Sequence, residues 1–300
     1  MERIGFIGLG AMGGPLAGHL VKNGFDVTVF DLDDQAVARL TDAGAKSAAS
    51  IAALAADSDI VFTCLPNSPD VREVVLGADG VLDHLVEGGM IVDLSTIDPT
   101  STDELVKAVV ERGRAFVDCP IGRTVDLAEQ GEALFMVGAS GNDFGRVAPM
   151  LEKMGSTIRH CGEAGSGIRT KLINNFCAIA IAQVNAEALA LSQAFGLDLT
   201  ETLETVNGTT ATNGHLARLW PAKVFSGDTE PGFKISLAAK DLGLVIDAAK
   251  TAGVPVFTGA AARQALVLAC QTEDYADKDF SALVDVACHH AGQPPARYSK

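Results

Sequence analysis

Short apolar runs alternate with helical segments between residues 3 and 160. The predicted strands are the runs RIGFIG, DVTVFD, DIVFTCL, MIVDLS, AFVDC, ALFMVG and STIRHC. Between them, segments such as GGPLAGHLVKNG and Ser101 to Gly113 place apolar residues at helical spacing. Strands that alternate with helices indicate βαβ units. The pattern therefore predicts the α/β class, with a doubly wound, mainly parallel sheet.

The pattern changes after Gly167. A stretch from Ile168 to Phe195, IRTKLINNFCAIAIAQVNAEALALSQAF, is apolar nearly all round and lacks Gly and Pro. Such a helix is buried on most sides, either between domains or in a subunit interface. The pattern in the rest of the chain predicts further helices and no strand. We therefore predict an α/β domain over 1–163, an all-α domain over 164–300, and a homodimer or homotetramer.

Composition and charge exclude several functions. The net charge of −15 argues against nucleic-acid binding, since phosphate neutralisation needs clustered Lys and Arg. The six cysteines include no CxxC pair, so neither a disulfide framework nor a metal site is expected. No apolar run looks long enough to span a bilayer, and MERIGFIG has no signal-peptide architecture. These observations predict a cytoplasmic protein with no membrane partner.

The first predicted strand leads directly into a glycine-rich motif, GLGAMG, and then a helix. This strand–turn–helix context is the one that a dinucleotide-binding Rossmann fingerprint requires. The glycines allow a tight turn, close approach to a pyrophosphate and close helix packing, and the helix N-terminus attracts the anion. The predicted cofactor-binding residues of the motif are Gly8, Leu9, Gly10, Ala11, Met12 and Gly13.

The second predicted strand ends in Asp31, 23 positions after Gly8. A carboxylate there accepts hydrogen bonds from the adenosine ribose and repels a 2′-phosphate, which favours NAD over NADP. Two later strand ends, in CLPN and LST, should complete the site, because ligands bind at the carboxyl ends of the strands. They add Leu65, Pro66, Asn67 and Thr96 to the predicted cofactor site, and Ser95 to the substrate site.

Polar residues interrupt the apolar helix near its start. Lys171, Asn174 and Asn175 stand at i, i+3 and i+4 and so share one face. One interpretation is a snorkelling lysine with two capping amides. The other is a buried amine near the cofactor that protonates a carbonyl, with the asparagines fixing its position.

Five motifs in order resemble the β-hydroxyacid dehydrogenase family over almost the whole chain. They are GLGAMG, DLST, DCPIGRT, GSGIRTKLINN and AAKDLGL. The resemblance implies a Rossmann domain joined to an all-helical domain, usually in an oligomer. It also implies that Lys171 is the general acid/base, that Asn175 orients the substrate, and that Lys240 reaches the cofactor. Asp241 is implied to hold local structure.

The substrate loop departs from the usual family pattern, D-x-P-V-S-G-G. Gly122, Arg123 and Thr124 occupy the last three places, which resembles the sulfolactaldehyde reductase branch. That resemblance implies NADH-dependent reduction of 3-sulfolactaldehyde to 2,3-dihydroxypropane-1-sulfonate. Arg123 would grip the sulfonate through paired donors, Thr124 would add a hydroxyl, and Asn174 would join the site.

Other functions stay open from the residues alone. Arginine also pairs with carboxylates, so succinic semialdehyde, tartronate semialdehyde or 3-hydroxyisobutyrate is an alternative substrate. A dinucleotide-binding sensor without turnover is a different class, and retention of Lys171 with both asparagines argues against it. Imine reductases share the fold but generally replace the lysine.

Overall fold

The computed structural model describes residues 2–272 and 274–298. The chain forms two compact units, Met1–Lys171 and Leu172–Lys300. The division falls within one long helix, Ser166–Ala194. The boundary at residue 163, expected from the sequence, stays a prediction.

The first unit contains a nine-stranded sheet in the order β3-β2-β1-β4-β5-β6-β8-β7, with β9 beside β8. Strands β1 to β6 pair in parallel, and β8 runs antiparallel to both β6 and β7. The strands are β1 (Arg3–Ile7), β2 (Asp26–Phe30), β3 (Lys46–Ser47), β4 (Ile60–Thr63), β5 (Met90–Asp93), β6 (Ala115–Asp118), β7 (Ile121–Gly122), β8 (Ala133–Gly138) and β9 (Gly155–Gly162).

Strand β1 lies between β2 and β4, so the direction of winding reverses at its carboxyl end. Strands β4 and β5 are buried along their whole length, as expected for a sheet with helices on both faces. The reversal opens a crevice beyond β1, and this is where doubly wound sheets bind ligands. The predicted fold class is therefore confirmed.

All seven strands predicted from the sequence are present, and two short ones were missed. β3 and β7 have only two residues each, too few to show a hydrophobic period. β7 continues the chain just beyond β6 and pairs with the antiparallel β8. This extension carries the start of the loop that the sequence analysis predicts to bind the substrate.

Helices cover the sheet, and several begin at capping residues that the sequence supplies. Asp33, Ser50, Asn67, Asp98 and Ser140 each accept a backbone N–H at a helix start. The helices are α1 (Gly13–Lys22), α2 (Asp34–Asp42), α3 (Ile51–Ala56), α4 (Ser68–Leu76), α5 (Val81–His84), α6 (Pro99–Glu111), α7 (Val125–Glu129) and α8 (Gly141–Met154).

The second unit contains helices joined by turns and loops, and its described residues include no strand, only one isolated bridge between Lys234 and Asp279. Its core surrounds Trp220, Phe225 and Leu266, which are almost fully buried. Its α-helices, after α9 (Ser166–Ala194) enters it, are α10 (Leu199–Asn207), α11 (Ile235–Thr251), α12 (Phe257–Gln271) and α13 (Leu283–His290). The all-α character predicted after residue 163 is confirmed.

Helix α9 is long and apolar enough, by length and composition alone, to cross a bilayer. The sequence analysis expected no such segment. Half of the most apolar window of α9 is buried inside the protein, and the core helix of a folded domain meets the same criterion. The feature is therefore weak evidence for a membrane span.

Candidate functional site

The glycine-rich turn between β1 and α1 has the geometry that the motif predicts. Gly8 has a φ of +93°, and a Cβ on Gly13 would lie 1.9 Å from the carbonyl oxygen of Gly8. Only glycine fits these two positions. A Cβ on Gly10 would meet nothing within 4 Å, so this part of the turn is open. The turn therefore leaves its backbone accessible to a pyrophosphate.

Asp31 stands at the end of β2 and organises the same turn. Its carboxylate accepts the backbone N–H of Leu9 at 2.5 Å and that of Asp33 at 2.8 Å. A cleft of about 530 Å³ lies beside it. Leu9, Gly10, Ala11, Gly14, Pro15, Asp31, Asp33, Ala36, Arg39, Leu40, Val125 and Glu129 line this cleft. The open glycine turn and the adjacent carboxylate fit the adenosine diphosphate part of a dinucleotide.

The ends of β4 and β5 are tied together by side chains. Ser95 is buried, and its hydroxyl accepts the backbone N–H of Leu65 at 2.9 Å. Asp93 accepts the hydroxyl of Thr63 at 2.9 Å and the backbone N–H of Ser95 at 3.1 Å. Burial raises the pKa of the Asp93 carboxyl above its ordinary value. Ser95 thus positions the two loops that were predicted to line the ligand crevice.

The other residues predicted at these strand ends also have defined places. Asn67 caps α4 by accepting the backbone N–H of Asp70 at 3.0 Å. Pro66 and Thr96 lie in the same two loops, at the carboxyl edge of the parallel strands. Their contact with a cofactor stays a prediction.

Asp118, the last residue of β6, anchors the start of α9. Its carboxylate accepts the backbone N–H of Gly165 at 2.5 Å and that of Ile168 at 2.7 Å. Burial raises the pKa of Asp118 to about 6, although the backbone hydrogen bonds lower it. Sequence reasoning did not single out this role. The two residues Asp118 and Ile168 are 50 positions apart, so no local sequence pattern indicates the contact.

Lys171 lies in the second turn of α9 and reaches the strand extension of the sheet. Its Nζ donates to the carbonyl oxygen of Ile121 in β7 at 2.6 Å. The side chain is half-buried. The amine is therefore held at the edge where the substrate loop begins.

Arg123 is the residue that follows β7, and its backbone is unusual. Its φ of +72° lies in the left-handed region that favours glycine. Its guanidinium donates to the carbonyl oxygen of Glu132 and to the hydroxyls of Ser156 and Thr157. The exposed guanidinium therefore has defined protein partners.

The residues on either side of Arg123 differ in environment. Gly122 is buried, and a Cβ there would lie 3.2 Å from Leu134. Thr124 precedes α7 without capping it through its side chain. The structure thus brings Lys171 and the Gly122–Thr124 loop together around the end of β7.

In the second unit, Asn175 belongs to a chain of polar contacts. Asn174 Nδ2 donates to Asn175 Oδ1 at 3.0 Å, and Asn175 Nδ2 donates to Asp241 Oδ2 at 2.7 Å. Lys240 Nζ lies 3.0 Å from the other oxygen of Asp241. Asn175 and Asp241 are buried, whereas Asn174 is exposed. Asp241 therefore fixes the amide of Asn175 on α9.

Arg39 is another residue that sequence reasoning missed. It lies in the last turn of α2 and lines the cleft beside Asp31. The sequence signal for this position is its helical spacing from the acidic DLDDQ segment, because residues three or four apart lie on the same face of a helix. The cleft therefore contains one cation as well as its carboxylates.

Comparisons with known proteins match both halves of the chain. The family model of the NAD-binding domain of 6-phosphogluconate dehydrogenase matches residues 3–162. The model described as NAD-binding of NADP-dependent 3-hydroxyisobutyrate dehydrogenase matches residues 165–287. The 3-sulfolactaldehyde reductase of Escherichia coli (strain K12) is 39% identical over 97% of this chain and 98% of its own length.

The chain belongs to the β-hydroxyacid dehydrogenase family. A mitochondrial 3-hydroxyisobutyrate dehydrogenase of Rattus norvegicus is 36% identical over 93% of this chain and 85% of the relative. The solved structure of Mycobacterium tuberculosis 3-hydroxyisobutyrate dehydrogenase with L-serine has a TM-score of 0.86. It is 31% identical and covers 95% of this chain and 99% of that chain. This member of the family is therefore an NAD-dependent oxidoreductase that acts on CH–OH groups.

Proposed function

We propose that this enzyme uses NADH to reduce 3-sulfolactaldehyde to 2,3-dihydroxypropane-1-sulfonate. The observation that carries the proposal is Arg123, a cation in left-handed backbone where the family pattern has glycine. A non-glycine residue in that conformation costs about 1 kcal/mol or more, so it persists where the side chain has a use. The 39% identity to a sulfolactaldehyde reductase supports the same substrate.

The proposed reaction needs a proton donor at the aldehyde oxygen. When bound, the reduced nicotinamide supplies a hydride to the aldehyde carbon. Lys171 donates the proton that makes the oxygen a hydroxyl, and its hydrogen bond to Ile121 holds the amine in place. Asn175, fixed by Asp241, orients the substrate, and Asn174 contributes an adjacent amide.

The spacing of Lys171 and Arg123 suits a short substrate. The Lys171 amine is bound to the carbonyl of Ile121, and Arg123 is two residues further along the chain. Two residues span at most ~7 Å between their Cα atoms. The backbone of the Arg123 loop therefore begins close to the Lys171 amine, and in the proposed complex the aldehyde lies by the lysine and the anionic group by this loop.

Substrate discrimination in an arginine variant tests the proposal. We expect Arg123→Leu to lower kcat/KM for sulfolactaldehyde. The decrease should correspond to a loss of ~2–5 kcal/mol of transition-state binding free energy, since the anion loses its charged partner. Arg123→Lys should retain only part of the parent kcat/KM for sulfolactaldehyde, because an ammonium group cannot supply the paired donors of a guanidinium. Glyceraldehyde, an uncharged control, should be a poor substrate that is scarcely affected. An equal fall for all aldehydes would assign Arg123 to folding or cofactor binding instead.

A carboxylate substrate is the second candidate, since arginine pairs equally with carboxylates. The 36% identity to a 3-hydroxyisobutyrate dehydrogenase favours it. The same kinetic comparison decides: if succinic semialdehyde has a higher kcat/KM than sulfolactaldehyde in the parent enzyme, the carboxylate function is correct. A sensor without turnover would oxidise no NADH with any of these aldehydes.

We also propose that the enzyme is a cytoplasmic homo-oligomer that associates through α9. One face of α9 is exposed and apolar along most of its length, for ~33 Å at the helical rise. Its members are Ile173, Cys177, Ile181, Val184, Ala188 and Leu191, continued by Phe195 just after the helix, at intervals of three or four residues. The exposed Glu187 lies on the same side. A two-fold interface would pack this face against an antiparallel copy of itself.

A further inference from the structure

The guanidinium of Arg123 is anchored where strands β8 and β9 begin. Nη1 donates to the carbonyl oxygen of Glu132 at 2.5 Å and to Ser156 Oγ at 2.8 Å, and Nη2 donates to Thr157 Oγ1 at 2.9 Å. Glu132 directly precedes β8, and Ser156 and Thr157 are the second and third residues of the neighbouring β9. Thr157 is held by pairing with Leu134 of β8, whereas Ser156 lies at a register shift between the two strands, next to the pair of Gly155 with Ala133.

These contacts use some of the N–H donors of the Arg123 guanidinium and leave others available. A guanidinium has five N–H groups in a planar fork. Three are used, and Nε–H and one N–H of Nη2 have no hydrogen-bond partner among residues 2–272 and 274–298. Two donors on one planar group match two oxygens of a sulfonate or carboxylate. The arginine is thus anchored without exhausting its capacity to bind an anion.

We infer that Ser156 and Thr157 are positioning residues for anion recognition by Arg123. This inference rests on the proposed function of Arg123. An unanchored arginine side chain loses rotamer freedom when it binds an anion, whereas an anchored one has lost it already. The two hydroxyls therefore increase selectivity for anionic aldehydes without touching the substrate.

The test compares kcat/KM for an anionic aldehyde with kcat/KM for glyceraldehyde, at saturating NADH. The anionic aldehyde is whichever of sulfolactaldehyde and succinic semialdehyde the parent prefers. We expect Thr157→Val and Ser156→Ala each to lower this ratio about 5-fold or more, since each removes a hydrogen bond to a charged group. The change should appear in KM for the anionic aldehyde, with kcat nearly unchanged.

Two controls separate positioning from folding. Thr157→Ser keeps the hydroxyl and should restore the ratio. Thr251→Val removes an exposed threonine hydroxyl, bonded to Asp247 on α11, and should leave the ratio unchanged. A merely structural role of Thr157 would lower activity toward both aldehydes alike, and NADH titration by fluorescence reports whether each variant is folded.

A double-mutant cycle isolates the coupling to Arg123. In the Arg123→Leu background, Thr157→Val should change the ratio by less than about 2-fold, because the hydroxyl no longer has its partner. An increased ratio in Thr157→Val alone would show that the hydroxyls hold Arg123 away from the anion and would overturn the inference. If Arg123→Leu collapses the ratio but neither hydroxyl variant does, this inference fails and the proposed function stands. If Arg123→Leu leaves the ratio unchanged, the proposed function itself fails.

Discussion

Single residues around β7 show how hydrogen bonds can fix reactive groups. Lys171 is bound to the carbonyl of Ile121, and Arg123 is bound to acceptors at β8 and β9. Both side chains are long and would lose rotamer freedom if they had to be ordered during binding. Their contacts order them in advance, which is the general requirement for a precise catalytic geometry.

Lys171→Met should reduce kcat by ~10²-fold or more, because it removes the proposed proton donor while keeping a side chain of similar length. NADH affinity should be nearly unchanged, since we propose that the amine acts on the substrate carbonyl. Stopped-flow or steady-state NADH oxidation measures the first quantity, and fluorescence titration the second. Turnover near that of the parent would remove the lysine from the mechanism.

Asp31 leads us to expect higher kcat/KM with NADH than with NADPH. Its carboxylate stands at the end of β2 beside the glycine turn and would repel a 2′-phosphate. Asp31→Asn should reduce the difference in kcat/KM between NADH and NADPH. It should also weaken the hydrogen bonds from the backbone N–H groups of Leu9 and Asp33. A parent enzyme with a higher kcat/KM for NADPH would contradict the prediction. It would indicate that Arg39, in the same cleft, binds the 2′-phosphate of NADPH.

At the scale of elements, the start of α9 depends on the end of β6. Asp118 accepts two N–H groups at the beginning of the helix, which carries Lys171 one turn later. The last four carbonyls and first four N–H groups of any helix need such partners. The carboxylate therefore connects the stability of the fold to the placement of the Lys171 amine, the proposed proton donor.

The raised pKa of Asp118 gives this contact a pH dependence. Its folded-state pKa is about 6, above the ordinary value of 3.8, so its contribution to stability is complete below pH 3.8 and is lost as pH rises through 6. Asp118→Asn cannot ionise. The stability of the parent relative to this variant should therefore fall by about 1 kcal/mol between pH 5 and pH 7.5.

Urea denaturation of dilute parent and Asp118→Asn protein at the two pH values checks this difference. Comparison with the variant cancels the titration of other groups. If the parent instead gains relative stability as pH rises, the backbone hydrogen bonds outweigh burial and the pKa is lowered rather than raised.

At the scale of the whole molecule, α9 exposes several large apolar side chains to solvent in the single chain. Leu191 is 53% exposed and Phe195 is 68% exposed, although both are large and apolar. Contiguous exposed apolar surface of this kind marks an interaction site.

Leu191→Glu should therefore convert a dimer or tetramer into smaller species, because it places a charge in the proposed interface. Val110→Glu is the matched control: Val110 is also exposed and apolar, but it lies on α6 in the first unit. Light scattering coupled to size exclusion at micromolar concentration measures the mass. A monomeric parent would contradict the interface.

Much of this molecule follows from local sequence patterns. The long strands, the glycine turn and α9 were all predicted, because each is encoded by residues close together in the chain. The family follows from motifs of the same kind, and the family models confirm it. The cofactor crevice could be placed for the same reason, since winding order alone determines where it opens.

Tertiary structure decided what the polar side chains contact. Arg123 meets Ser156 and Thr157 across 33 and 34 residues of chain, and Asp118 meets Ile168 across 50. The two-residue strand β7 forms only because β8 returns antiparallel beside it. No period or motif within a short window encodes such pairs, because each exists only when distant strands and helices are brought together by folding of the core.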